Sequence, residues 1–374
     1  MSAQGPIYKA SYLYYPSPPS RISENPLPIP VDELVFFPYT FGNTDPEGLF
    51  MKLIAPTLKD VFMARRIVSQ YLVRTPLIHY PALSELLGCE AYVKHENHQP
   101  VGAFKVRGGV NLISQLSDDE RCRGVIAAST GNHGLSVAYG AKRFGTKATI
   151  CVPEKANPLK IEAMRFLGAE IVSHGGDFDE AREHAENLTH EKGYRYVHAG
   201  DEPLLIAGVG TYALEILEDQ PDIETIIVPI GGGSGASGCC IVAKSIDSQI
   251  RIIGVQAKKA PSAYLSWKER RRVEARMETF AEGLATRTPF ALPQSILQDP
   301  DRGLDDFILV SEDDLCQAVI IAMEKTHNLA ETAGAAPIAA ALKLKERISG
   351  QKVALIMSGG NLSLQTLRDI LSRH

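Results

Sequence analysis

Four short stretches of this chain carry residue types whose chemistry exceeds what a packed scaffold needs. In Asn97-His98-Gln99-Pro100-Val101-Gly102-Ala103-Phe104-Lys105-Val106-Arg107-Gly108-Gly109, Lys105 follows a turn marked by Pro100 and Gly102 and has apolar neighbours on both sides. Desolvation lowers the pKa of an amine, and a neutral lysine is a nucleophile able to form a Schiff base with a carbonyl compound. A lone lysine is ordinarily a solvated surface charge, so Lys105 matters only if other groups converge on it. Gly231-Gly232-Gly233-Ser234-Gly235 follows an apolar run and precedes a helix expected from about Ala236. Small residues there leave backbone N–H groups accessible beside the positive end of a helix, which is a site for a phosphate. The bland alternative is a tight turn with close packing. Ser129-Thr130-Gly131-Asn132-His133-Gly134 and Ser358-Gly359-Gly360-Asn361 are two further turns of small and polar residues.

A dinucleotide reading competes for the glycine stretch, because Gly233-Ser234-Gly235-Ala236-Ser237-Gly238 matches G-x-G-x-x-G. That pattern requires an acidic residue for the ribose at the end of the next strand. Gln256 stands there. A monophosphate is the preferred ligand.

The elements that must position these turns alternate between strand and helix. β-rich runs are Val125–Ala128, Ala148–Val152, Glu170–Val172, Thr225–Val228, Ile250–Val255 and Val353–Met357. Helical patterns cover Leu135–Phe144, Leu159–Leu167, Asp179–Lys192, Tyr212–Glu218, Glu312–Lys325 and Ala335–Lys345. Such alternation predicts an α/β protein with parallel sheets buried between helices, and ligands in these sheets sit beyond the carboxyl ends of the strands. The 374 residues, 44% hydrophobic, are enough for about two domains. Residues 1–56 read differently. They are rich in proline and carry Tyr8, Tyr12, Tyr14 and Tyr15, which predicts an extended arm lying on the body or on a partner subunit, with a partly disordered leader as the alternative.

Composition excludes several classes. A net charge of -5 with no long basic run argues against a nucleic-acid partner or a membrane-surface patch. No apolar stretch approaches a membrane span, and the N-terminus lacks the pattern of a secretory signal. The six scattered cysteines form no C-x-x-C pair and no metal-ligand spacing, as expected of reduced thiols in a cytoplasmic protein.

Gln99–Gly108 resembles the lysine motif of fold-type II enzymes dependent on pyridoxal 5′-phosphate (PLP), most closely the threonine/serine dehydratase (ammonia-lyase) and serine racemase branch. Ser129–Gly134, Gly231–Gly235 and Ser358–Asn361 match in the same order, and Glu202–Thr211 and Ala281–Ala285 resemble further segments of that branch, the first a connecting one. The resemblance covers about residues 57–374. It implies the two-domain, tryptophan synthase β-like fold, each domain an open and mostly parallel sheet flanked by helices, with PLP in the cleft between them. The large domain would comprise 57–122 and 202–374, and a small domain, 123–201, would close on the substrate. By resemblance, Lys105 would hold PLP as a Schiff base and act as the base at Cα, and Phe104 would pack on the ring. Asn132 would bond the ring hydroxyl, and Ser358 would meet the pyridine nitrogen. Gly231, Gly232, Gly233, Ser234 and Gly235 would donate to the phosphate, while Ser129, Thr130, Gly131 and His133 would clasp the substrate carboxylate. A neutral Ser358 hydroxyl cannot protonate the pyridine as an aspartate would, which favours prompt loss of a β-leaving group over a long-lived carbanion.

The sequence also departs from that pattern. Racemases of the branch carry a serine where Thr130 stands, and the β-branched threonine constrains the hydroxyl, which disfavours racemisation. The carboxylates of the branch's divalent-metal site are replaced by Gln256-Ala257-Lys258-Lys259-Ala260-Pro261-Ser262, so no Mg²⁺ or Ca²⁺ is expected there. The chain ends one helix after Asn361, where biosynthetic threonine dehydratases continue into a regulatory domain, so feedback of that kind is not expected. Asp201, Glu202, Glu282 and Glu331 stay open between site residue and helix cap or surface carboxylate. The expected activity is β-elimination from a hydroxy amino acid by a homodimeric, cytoplasmic enzyme. A racemase using Lys105 and Thr130, a threonine synthase-like transferase and a non-catalytic binding protein remain as alternatives.

Overall fold

The structure, a computed structural model, describes residues 54–373. The expected arm at 1–56 lies outside them apart from its last three residues. Ten strands run in chain order: β1 Leu77–His79, β2 Glu90–His95, β3 Val125–Ala128, β4 Ala148–Val152, β5 Glu170–Ser173, β6 Arg195–Tyr196, β7 Thr225–Pro229, β8 Arg251–Ala257, β9 Asp306–Val310 and β10 Lys352–Met357. They form a six-stranded sheet in the order β1-β2-β10-β7-β8-β9 and a four-stranded sheet in the order β5-β4-β3-β6. Every pairing is parallel except the short β1 against β2, with registers such as Val353 opposite Thr225 and Val125 opposite Ala148.

Parallel sheets need cover on both faces, and their strands are accordingly continuous apolar runs. All of β3 and β4 is buried. The four-stranded sheet is drawn from one continuous stretch of chain, while the six-stranded sheet takes strands from both sides of it. Two large apolar clusters cover the six-stranded sheet. One of them continues through Val106, Ile113, Val137 and Ile150 into the four-stranded part.

Two helices illustrate where the structure departs from the sequence pattern. Glu202–Thr211 is helical: a single helix runs Pro203–Asp219 with Glu202 as its N-cap, and takes in the shorter helix expected at Tyr212–Glu218. Its glycines disguise it. A side chain at Gly208 would place Cβ 2.6 Å from the Arg107 carbonyl oxygen, so glycine serves close packing of this helix on the Lys105–Ser114 helix. The helix after the glycine stretch, Ser234–Ile246, starts two residues earlier than expected.

Arg107, in the first turn of the Lys105 helix, is wholly buried. Its guanidinium donates to Glu96 (2.8 Å, twice) and to Glu215 (2.7 and 2.8 Å). Lys94 Nζ completes the cluster on Glu215 Oε2 and the Thr75 carbonyl oxygen, both at 2.6 Å. Two cations and two carboxylates therefore balance inside the core, which is the condition for burying them. The network ties the first turn of the Lys105 helix to β2 and to the Pro203 helix.

Candidate active site

The four stretches singled out in the sequence converge. Ser129, Gly231 and Ser358 each lie just beyond the carboxyl end of a strand (β3, β7 and β10), and all line one cleft of 1340 Å³ together with Lys105. The turn before Lys105 is held against the third of them: Phe104 N–H donates to the Ser358 carbonyl oxygen at 3.0 Å, and Ala103 bridges to Gly359.

Lys105 Nζ lies 2.7 Å from the Ala199 carbonyl oxygen and 2.9 Å from Ser234 Oγ, and 5.5 Å from the centre of the Phe104 ring. Burial pushes its pKa down to about 8. The amine thus sits at the head of the glycine turn with a substantial neutral fraction near neutral pH.

Gly231–Gly235 has the shape of an anion cradle. Gly233 takes φ +88°, the left-handed region, and the 13-residue helix that starts at Ser234 aims its free N–H groups at the cleft. Phe290 backs the turn so closely that a Cβ at Gly232 would lie 2.2 Å from its Cε2. Phe104 and Tyr212 stand behind Gly235, whose carbonyl oxygen accepts from the Tyr212 hydroxyl at 2.9 Å.

The Ser129–Gly134 turn is built by its own serine. Ser129 Oγ accepts from the N–H groups of Gly131 (3.2 Å) and Gly134 (2.9 Å). Thr130 and Gly131 are half-buried at the cleft, and the helix Asn132–Phe144 follows directly. His133, in the same turn, has a buried side chain. Its Nε2 donates to the Val197 carbonyl oxygen at 2.9 Å, and Nδ1 has no partner among the described residues. Burial pushes its pKa down to about 3, so the ring is neutral, with its lone pair on the buried Nδ1.

The open residues separate clearly. Glu202 is structural, its carboxylate paired with Arg195 at 2.8 and 2.9 Å in the core. Asp201 accepts from Leu292 N–H at 2.8 Å. Glu282 lines the cleft and forms an ion pair with Lys160, a residue that the sequence reading passed over because it belongs to no motif. Glu331 also lines the cleft and accepts from Asn132 Nδ2 at 2.7 Å. Gln256 accepts from Tyr264 N–H at 3.0 Å and turns its amide nitrogen to Thr286 Oγ1 at 3.4 Å.

The model of the family described as "Pyridoxal-phosphate dependent enzyme" matches residues 68–359. The chain belongs to that family. It is 40% identical over 319 residues to the L-threonine ammonia-lyase of Thermotoga maritima, spanning 85% of this chain and 78% of that protein. Among solved structures, it is similar to the processed form of threonine deaminase isoform 2 from Solanum lycopersicum (TM-score 0.79, 33% identity, covering 85% of this chain and 94% of that one). Maize serine racemase is similar as well (TM-score 0.80, 31% identity, covering 86% and 98%).

This PLP-dependent enzyme has groups that fit its cofactor: a desolvated amine, a glycine-rich turn at a helix N-terminus, and a polar residue after β10. Ser358, 4% exposed, supplies the last.

Proposed function

We propose that this PLP-dependent enzyme is an ammonia-lyase that removes the β-hydroxyl of an amino acid such as threonine or serine and releases a 2-oxo acid and ammonia. The observation that carries the reading is Lys105 Nζ, held on Ser234 Oγ at the head of the glycine turn with its pKa drawn down to about 8. Ammonia-lyase and deaminase are also the names carried by the relatives of Thermotoga and tomato. When bound, the cofactor withdraws electrons from Cα of the amino acid attached to it. Lys105 holds it and then takes the Cα proton. Phe104 packs on its ring, Asn132 donates to its ring hydroxyl, and Ser358 meets its pyridine nitrogen. The N–H groups of Gly231, Gly232, Gly233, Ser234 and Gly235 bind the phosphate. Ser129, Thr130, Gly131 and His133 hold the substrate carboxylate, His133 through its backbone.

The residues 123–201 that carry the four-stranded sheet act as a small domain closing on the substrate and excluding water, and 57–122 with 202–374 form the large domain. The enzyme works as a homodimer in the cytoplasm. Support for the dimer is the exposed pair Phe62 and Met63 on the Leu58–Tyr71 helix, and for the compartment the six free cysteines.

Incubating the holoenzyme with L-threonine and L-serine, while 2-oxo acid, ammonia and D-serine are followed together, tests the activity. Release of 2-oxo acid and ammonia in equal amounts is the expected result. D-serine as the main product would replace the lyase by a racemase working through Lys105 and Thr130. No turnover of any β-hydroxy amino acid would end the proposal. Size-exclusion chromatography with light scattering checks the dimer.

A further inference from the structure

Glu331 is the N-cap residue of the Thr332–Lys343 helix, yet its side chain accepts from none of that helix's N–H groups. It turns into the cleft. With 9% of its surface exposed, the carboxyl has lost most of its water, and burial pushes its pKa up against Lys160 and the Asn132 amide, which pull it down. A carboxyl buried without capping its own helix costs stability, and its contacts show what that cost serves.

The contact that matters is with Asn132. Glu331 Oε1 accepts from Asn132 Nδ2 at 2.7 Å, while Asn132 Oδ1 accepts from Asn361 Nδ2 at 2.8 Å. Asn361 Nδ2 is itself anchored, donating to the Val101 carbonyl oxygen at 2.8 Å. An amide with an acceptor at its nitrogen and a donor at its oxygen cannot flip without losing both bonds. Its second Nδ2 hydrogen, without a partner among the described residues, belongs to a side chain that lines the cleft. The two ends of the Glu331–Asn132 bond lie in different parts of the fold, the helix that follows β3 and the helix that precedes β10. Glu331 also explains Gly359, the neighbour of Ser358: a Cβ there would lie 2.5 Å from Glu331 Oε1.

We propose that Glu331 is a positioning residue that locks the Asn132 amide with an N–H turned toward the ring hydroxyl oxygen of the cofactor. The proposal rests on the reading that seats the cofactor on Lys105 with its ring against Asn132. It adds a requirement for an acceptor at 331, because an acceptor there fixes the Asn132 nitrogen while Asn361 fixes its oxygen.

The test uses Glu331→Met, close in size and without an acceptor, with Glu331→Ala as a second loss variant and Glu331→Gln as the conservative rescue. Circular dichroism of each apoprotein checks folding. Cofactor affinity and the visible absorbance of the Lys105-bound cofactor are then measured. Loss of one hydrogen bond to a charged or ring-oxygen partner predicts affinity about tenfold weaker in Glu331→Met. The same variant should lose long-wavelength absorbance to the form whose ring oxygen keeps its proton. Glu331→Gln, which can present its amide oxygen, should recover both to within about twofold. In an Asn132→Ala background, Glu331→Met should add almost nothing. Unmoved affinity and spectrum in Glu331→Met, a Glu331→Gln as impaired as the loss variants, or effects that multiply in the double variant would each overturn the proposal. Borohydride reduction of the parent protein separates the two levels. An adduct away from Lys105 sinks the site assignment and this proposal together, whereas a Lys105 adduct with an indifferent Glu331→Met sinks the proposal alone.

Discussion

The depressed pKa of Lys105 has consequences that can be measured without any substrate. Schiff-base formation needs the neutral amine. With a pKa of about 8, Lys105 is about one-quarter neutral at pH 7.5, whereas a lysine at the ordinary value of 10.5 is about 0.1% neutral, a ratio of roughly 200. Cofactor offered at limiting amount to the apoprotein should therefore attach to Lys105 far faster than to any solvated lysine. Its attachment rate should climb about sixteenfold between pH 6.5 and 8, then gain no more than about twofold up to pH 9.5. Stopped-flow absorbance across that range, followed by borohydride reduction and peptide mass spectrometry, gives both the profile and the position. A rate that keeps rising tenfold per pH unit to pH 9.5 would refute the argument, because it would mean an unperturbed amine.

The same shift has a stability side with a definite sign. The folded-state pKa of Lys105 lies below its unfolded value, so the unfolded chain holds the proton more tightly and the lysine costs stability at low pH. The cost is fully present below about pH 8 and fades as pH rises toward 10.5. It is at most about 3 kcal/mol at pH 7 and about 1.4 kcal/mol at pH 9.5, before crediting the bonds to Ala199 and Ser234. Lys105→Met apoprotein should thus be more stable than the parent at pH 7, by about 1–3 kcal/mol, and the advantage should shrink by pH 9.5 in urea titrations. A gap that widens with pH would contradict the sign.

Gly232→Ala drives a Cβ to within 2.2 Å of Phe290 Cε2 and should weaken cofactor affinity about 10- to 100-fold, with about 1–3 kcal/mol of overpacking, as read by equilibrium dialysis and thermal melting. Arg107→Leu leaves the carboxylates of Glu96 and Glu215 short of their shared cation and should cost about 3–5 kcal/mol by urea denaturation. The Lys160–Glu282 ion pair lies over Gly131, since a Cβ there would be 3.7 Å from Lys160 Nζ and 3.8 Å from Glu282 Oε2. Lys160→Met should therefore raise KM for the amino acid several-fold while changing cofactor affinity little, a split that steady-state kinetics and dialysis resolve.

Much of this architecture is visible in the residues themselves, and the parts that are not have identifiable causes. β3 and β4 were legible because a parallel strand buried on both faces has no choice but to be apolar. β2, Glu-Ala-Tyr-Val-Lys-His, hides its burial because Lys94 is accommodated by Glu215, a residue 121 positions away. The Pro203 helix hides behind Gly208 and Gly210, which local propensity counts against a helix and tertiary packing demands. The lysine and the phosphate turn announce themselves because their chemistry depends on backbone and on neighbours in sequence. Lys160 and Glu331 do not, since each acts through one side-chain contact to a distant segment, and no pattern at either position signals its partner. His133 is a mixed case. Its place in the turn is legible, but the direction of its ring is decided by the Val197 carbonyl oxygen, beyond the reach of any local pattern.

Burial acts on the groups of this cleft in opposite senses, and that opposition bears on the chemistry. It pushes the Lys105 and His133 pKa values down and the Glu331 value up, so all three lean toward their neutral forms. This bias is local to these three groups, since charged side chains such as Arg182, Glu186, Arg272 and Arg287 line the same cleft. Under the proposed function, the phosphate, the ring and the zwitterionic amino acid would be met by N–H groups, hydroxyls and a helix end. A neutral amine beside Cα can take a proton, as a fixed ammonium could not. The ion pair of Lys160 and Glu282 lies at Gly131, where the substrate carboxylate is proposed to sit. Charge kept there rather than around Lys105 would orient the amino acid without raising the cost of making its Cα anionic, which is the division of labour that an elimination begun by proton removal requires.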